Sequence, residues 1–341
     1  MSTITDTRRN STFNRGKWRH ALPQLQNRLF ATDGGLETTL IFQDGIDLPA
    51  FAAFDLLKNA EGTARLQKYY AQYADLARRH GLGMVLEAPT WRANRDWGTL
   101  LGYDQQTLEQ ANRNAVTLME NIRAEFETPD APMVISGNLG PRGDGYIAAH
   151  KMSADESENY HREQIDIFAT TAADMVAAFT MNYVEEAIGI VRAAKAAAMP
   201  VVISFTLETD GRLPSGQTLR DAILETDATS GNYPAYYMIN CAHPAHFQHV
   251  LSGSAPDGRK WQDRIRGLRA NASCKSHAEL DASTELDAGN PAELGQQYRA
   301  LTASLRQIAV IGGCCGTDHR HVEAICREFS HRDASGERIA V

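Results

Sequence analysis

Short apolar runs rich in β-branched residues alternate along the chain with longer stretches in which apolar positions recur every three to four residues. The first pattern predicts strands and the second amphipathic helices, because side chains repeat every 2 positions along a strand and every 3.6 along a helix. Strands are predicted over 28–32, 83–87, 132–136, 199–205, 235–240 and 308–311, with weaker ones near 175–179 and 267–270. Helices are predicted over 63–80, 106–127, 154–170, 184–198, 244–251, 291–305 and 318–329, while the segment after 199–205 reads as a polar loop. Such alternation implies parallel strands joined by crossover helices. About eight such units in 341 residues suit a single α/β domain, a (β/α)8 barrel of the TIM type, better than a doubly wound sheet, which would be shorter or split. The expected layout is a polar N-terminal arm over 1–27, the barrel over 28–330 and a polar tail over 331–341.

In a barrel of this kind the chemistry belongs at the C-terminal ends of the strands. Asp33-Gly34-Gly35, Glu87, Asn138, Asn240-Cys241 and Gly312-Gly313-Cys314-Cys315 all follow predicted strands, so the candidate residues share one face. Composition narrows the partners. With 34 Lys and Arg against 42 Asp and Glu, the net charge of −8 disfavours a phosphate-binding surface, and nucleic acid is excluded as a partner. No apolar run approaches the roughly 20 residues needed to span a bilayer, so no membrane partner is expected. The basic start, with Arg8, Arg9, Arg15, Lys17 and Arg19, lacks the apolar stretch of a secretory signal, and a reducing cytoplasm is the expected compartment. The arm before Arg28 and the polar stretch 253–264 either lie in solvent or bridge subunits, so the oligomeric state stays open.

Five cysteines, Cys241, Cys274, Cys314, Cys315 and Cys326, all fall in the C-terminal third. An odd number in a large chain is poor arithmetic for disulfides and suggests a metal instead. Cys241 ends one strand, and Cys314-Cys315 ends another within a frame of Gly312, Gly313 and Gly316 that lets adjacent side chains turn toward one centre. Three thiolates suit zinc and leave its fourth position open, as catalytic sites require. A vicinal redox pair at Cys314-Cys315 is the competing reading. Cys326, inside an amphipathic helix, and Cys274, in a polar loop, read as free thiols without chemistry. His243, His246 and His249 read as polar surface rather than ligands.

The ordered segments Asp33-Gly34-Gly35-Leu36-Glu37-Thr38, Asn138-Leu139-Gly140-Pro141, Ser204-Phe205-Thr206, Asn240-Cys241 and Gly312-Gly313-Cys314-Cys315-Gly316-Thr317 resemble the homocysteine S-methyltransferase family, over about 28–329. The resemblance implies a barrel enzyme whose Zn2+ is held by Cys241, Cys314 and Cys315. It implies a small thiol acceptor, homocysteine, converted to methionine by a methyl donor, with onium donors such as S-methylmethionine or S-adenosylmethionine favoured. It also matches Asp33 and Gly34 to positions that contact the acceptor; a simple turn is the alternative, and the functional reading is preferred because the same loop carries Gly35 and Glu37 at a strand end. Asn240 would orient Cys241 by an outer hydrogen bond.

One position departs from the family pattern. Where members using homocysteine carry a glutamate at the end of the fourth strand, this chain has Phe179, whose ring offers an ammonium only a cation–π contact. Glu87 either compensates or pairs with Arg92 or Arg95, and Trp91 and Trp97 either wall an onium donor or simply pack. Two alternatives follow: a methyltransferase for another small thiol or selenol, or a non-catalytic zinc- or redox-responsive binding protein.

Overall fold

A computed structural model describes residues 16–251 and 260–330. Eight parallel strands close into a barrel in sequence order: β1 (Phe30–Ala31), β2 (Gly83–Glu87), β3 (Met133–Leu139), β4 (Met175–Met181), β5 (Val201–Phe205), β6 (Tyr236–Asn240), β7 (Ile265–Ala270) and β8 (Val310–Gly313). Closure is made by β1, which pairs with β2 on one side and β8 on the other. The helices that follow the strands are α1 (Ala60–Arg79), α2 (Gln105–Phe126), α3 (Ala154–Ala169), α4 (Val184–Ala196), α5 (Leu219–Ser230), α6 (Pro244–Phe247), α7 (Pro291–Leu301) and α8 (His319–Ser330). This is the expected TIM barrel.

Several helices start on side-chain caps. Asn59, Asp104, Ser153, Thr218 and Asn290 each accept a hydrogen bond from a backbone N–H of the first turn, satisfying donors that have no partner within the helix. The larger core lies between the sheet and the helices. A second fills the barrel itself with Phe30, Val85, Val134, Ala177, Val202, Met238 and Val310. Because the strand period is 2, the residues two places further along share that inward direction. They include Glu87, Ser136, Phe179, Ser204 and Asn240, and Arg269 stands at the same level on β7. The interior thus passes from aliphatic to polar and charged side chains toward the C-terminal ends of the strands.

Two expectations change. Residues 16–27 are no solvated arm but seal the N-terminal end of the barrel. Leu22 joins the interior cluster, the Trp18 ring N–H donates to Met133 O at 3.0 Å, and the Arg19 guanidinium donates to Ala169, Thr171 and Ala173 carbonyls. Apolar Trp18 and Leu22 among basic neighbours made this segment read as polar, yet Arg19 is only 8% exposed because those carbonyls at the β3–β4 connection take up its donors. The predicted polar loop after the fifth strand contains α5, whose inner face carries Thr226, Asp227 and Ser230; Asp227 is buried against Arg264 and Tyr237. Residues 1–15, 252–259, which include most of the polar stretch before Trp261, and 331–341 lie outside the described residues. Among the described residues no helix is long and apolar enough to cross a membrane.

Candidate active site and metal centre

A cavity of about 630 Å³ opens over the C-terminal ends of the strands and is lined by Asp33, Gly34, Glu87, Trp91, Phe179, Asn240, Cys241, Cys314 and Cys315, so every predicted site residue borders one space. Cys241 enters from the end of β6 and Cys314-Cys315 from the end of β8. Their three sulfurs lie within 4.8 Å of one another, a group that could hold a metal ion. Cys241 Sγ and Cys315 Sγ are 3.9 Å apart, close to the roughly 3.8 Å edge of a tetrahedral zinc site with ~2.3 Å Zn–S bonds. Cys241 and Cys314 sulfurs pair with each other as a disulfide, so metal binding needs that pair reduced; no vicinal Cys314–Cys315 bond forms. Burial pushes the Cys315 thiol up, against the pull of the Tyr146 hydroxyl. A cation is what would convert such a buried sulfur to thiolate. Soft donors, convergence and the need for positive charge all fit a zinc ion. Cys274 is exposed and Cys326 buried in α8, and neither belongs to the group of three sulfurs.

The backbone explains the motif. A side chain at Gly313 would collide with the Thr317 hydroxyl, which itself donates to Cys314 O at 2.6 Å, and Gly316 takes a left-handed φ of 78°. Cys241 also sits at positive φ, 51°, and its carbonyl accepts from the His277 ring at 2.6 Å. His277 packs against Tyr146 at 4.2 Å between ring centres, and the Tyr146 hydroxyl lies 3.6 Å from Cys315 Sγ. Tyr146 lies in a loop and His277 opens the short helix His277–Asp281, neither carrying a periodic pattern, and sequence reasoning passed over both.

The substrate side departs further from expectation. The Asp33 carboxylate is already engaged, ion-paired with Arg269 at 2.9 Å and accepting from the Tyr69 hydroxyl at 3.0 Å. Burial pushes its pKa up while Arg269 opposes the shift. Arg269 also donates to Gly34 O and Gly313 O, tying the first loop to the cysteine loop, and its guanidinium lies 5.2 Å from the centre of the Phe179 ring. A charged residue inside a predicted strand was the signal that could have flagged it. The Asn240 amide bonds to Thr180 and Ser204 rather than to Cys241, bracing β4 and β5 against β6.

Glu87 pairs with neither Arg92 nor Arg95. Arg95 pairs with Glu163 at 2.9 Å, and Arg92 lies over the rings of Trp91 and Trp97. Both Glu87 oxygens are buried without a formed hydrogen bond, and burial holds the carboxyl at about 7 against the opposing pull of the Arg269 charge and the neighbouring Ser136 hydroxyl. Glu37 is likewise pushed up to about 7 by burial.

The model of the homocysteine S-methyltransferase family matches residues 31–329. The chain belongs to the homocysteine S-methyltransferase family. Curated relatives in this family include Homocysteine S-methyltransferase 1 of Brassica oleracea var. italica, 23% identical over 338 residues, with 88% of this chain and 93% of the relative covered. The Arabidopsis thaliana protein of the same name is 22% identical over 331 residues, with the same coverage. Among solved structures, the Escherichia coli homocysteine methyltransferase MmuM matches in its oxidized form with a TM-score of 0.68 at 20% identity, covering 89% of this chain and 97% of that one. Its metallated form matches with a TM-score of 0.66 at 19% identity, covering 88% and 96%. At that identity the structures bear on the fold, while the family membership makes this chain a homocysteine S-methyltransferase-like methyltransferase with small-molecule thiol and methyl-donor substrates.

Proposed function

We propose that the protein is a zinc-dependent S-methyltransferase that moves a methyl group from a small onium donor to homocysteine, giving methionine. The observation that carries this reading is the convergence of the Cys241, Cys314 and Cys315 sulfurs on the wall of a large cavity. Zinc on that triad would supply the positive charge that lowers a substrate thiol from about 8.5 to below neutrality.

The chain's own residues do the rest. With a divalent cation held by Cys241, Cys314 and Cys315, the three thiolates would leave a formal charge of about −1, favouring approach of a positively charged donor. S-Methylmethionine and S-adenosylmethionine fit that preference, and betaine shares the charge. The substrate sulfur attacks the donor methyl in line: the new S–CH3 bond forms as the donor's S–CH3 or N–CH3 bond breaks, and its electron pair leaves with a neutral product. The Tyr146 hydroxyl stands where it moderates the charge on Cys315. Glu87, a buried carboxylate without a partner, receives the acceptor's ammonium, and that cation would draw the carboxyl into its ionised form.

A second acceptor class, another small thiol or selenol, is favoured by two observations: Phe179 stands under Arg269, and Asp33 is paired with Arg269 and Tyr69. A grid of donors against acceptors, scored by methylated product on the reduced, zinc-loaded protein, separates the readings. Efficient turnover of homocysteine rules out the second, turnover only of other thiols or selenols overturns homocysteine, and no turnover of any pair leaves a binding protein.

A further inference from the structure

The loop after β2 holds a buried positive charge that the catalytic scheme does not use. Arg92 is 7% exposed and lines the cavity. Its guanidinium lies 4.0 Å from the centre of the Trp91 ring and 3.7 Å from that of Trp97, which together fix its plane. Nη1 donates to Gly143 O at 3.1 Å, and Nε is buried without any partner. Among the described residues no carboxylate lies within 4 Å of it; Asp144 and Glu37, which border the same cavity, act on it only from a distance. Burying a guanidinium without a counter-ion is costly unless an anion completes the site. The aromatic faces compensate in part, but Arg92 lines the cavity with donor capacity left over, and a planar guanidinium is the group that matches a bidentate oxyanion.

We propose that Arg92 is the carboxylate receptor of this cavity, binding the carboxylate of an amino-acid substrate. The inference rests on the methyltransferase reading and deepens it. Glu87 and Arg92 are five residues apart on one strand and its following loop, and both are buried with atoms left without partners. Together they present opposite charges to one space, as the ammonium and carboxylate of an α-amino acid require, while the cysteine triad takes the sulfur end. Thiol acceptors and sulfonium donors both carry such carboxylates, so the test treats each.

Calorimetric titration of the reduced, zinc-loaded full chain would compare homocysteine with 3-aminopropane-1-thiol, its decarboxylated counterpart, and S-methylmethionine with its decarboxylated sulfonium. The wild type should bind the carboxylate-bearing member of at least one pair about 10- to 100-fold more tightly. In Arg92→Met that preference should vanish while the decarboxylated ligand binds as before, and Arg92→Lys should restore part of it. The pair that responds tells whether acceptor or donor is held. A wild type that shows no preference in either pair overturns the proposal without any variant, as does a preference that Arg92→Met leaves unchanged. Because binding is read directly, an Arg92-dependent preference in a protein that transfers no methyl group sustains this inference while the proposed function fails. Methyl transfer with an unaltered preference in Arg92→Met does the reverse.

Discussion

The two sides of the cavity are built on different terms. On the metal side, Cys241, Cys314 and Cys315 are held by backbone devices: the glycine frame, the Thr317 hydroxyl on Cys314 O and the His277 ring on Cys241 O. On the substrate side, charges are buried and only partly compensated: Glu87 and Arg92 retain atoms without partners, and Asp33 is consumed by Arg269 and Tyr69. The first side specifies a ligand set through local chain geometry. The second specifies a substrate through electrostatic complementarity that only the bound molecule completes. Chemistry and specificity are therefore separable, and mutations should divide along that line.

The largest effect is expected from the metal side. Cys314→Ala removes one of three donors and should cut methyl transfer by well over ~100-fold, beyond the ~10–100-fold typical of residues that only support a ligand; turnover within tenfold of wild type would break the division. Glu87→Gln should raise the acceptor KM by about 10- to 100-fold with metal content unchanged, since it removes a charge-assisted contact without touching the triad. A parallel loss of zinc would show that the two sides are coupled.

The same division appears in what the sequence displayed. The metal side was legible because its signals are local: Cys241 at a strand end and two cysteines in a glycine frame. The barrel was legible because its strands are apolar runs bounded by small and polar residues. α5 escaped notice because Thr226, Asp227 and Ser230 occupy its buried face, Asp227 being satisfied by Arg264 and Tyr237 from distant segments. The Arg269–Asp33 pair joins residues 236 positions apart, and nothing local marks it. The sandwich of Arg92 between Trp91 and Trp97 spans only seven residues, yet which face of the loop meets the cavity is set by tertiary packing.

Stability supplies two smaller tests. With a carboxyl held at about 7 when folded and near 4.5 when unfolded, Glu87 binds its proton more tightly in the native state. Its contribution is full below pH 4.5 and is lost as the pH rises through 7. Between those values Glu87→Gln should gain up to ~3 kcal/mol relative to wild type, read by denaturant unfolding across pH. A flat difference across that range would place Glu87 in a neutralised environment instead. At the opposite end of the barrel, Arg19→Ala strips several carbonyls of their donor and should cost ~2 kcal/mol while leaving zinc content and both KM values unchanged. Altered KM values would mean that the sealed end communicates with the cavity. Tyr146→Phe is the mildest change, expected to lower zinc affinity about tenfold by removing the hydroxyl beside Cys315. A metal-competition titration that finds no change would assign Tyr146 to packing against His277 alone.

Metal quantitation on protein purified under reducing conditions bears most directly on the triad. Wild type should carry one zinc per chain and Cys314→Ala almost none, with both folded. A folded, fully reduced wild type without zinc, unable to take it up when supplied, would contradict the assignment of Cys241, Cys314 and Cys315 as its ligands.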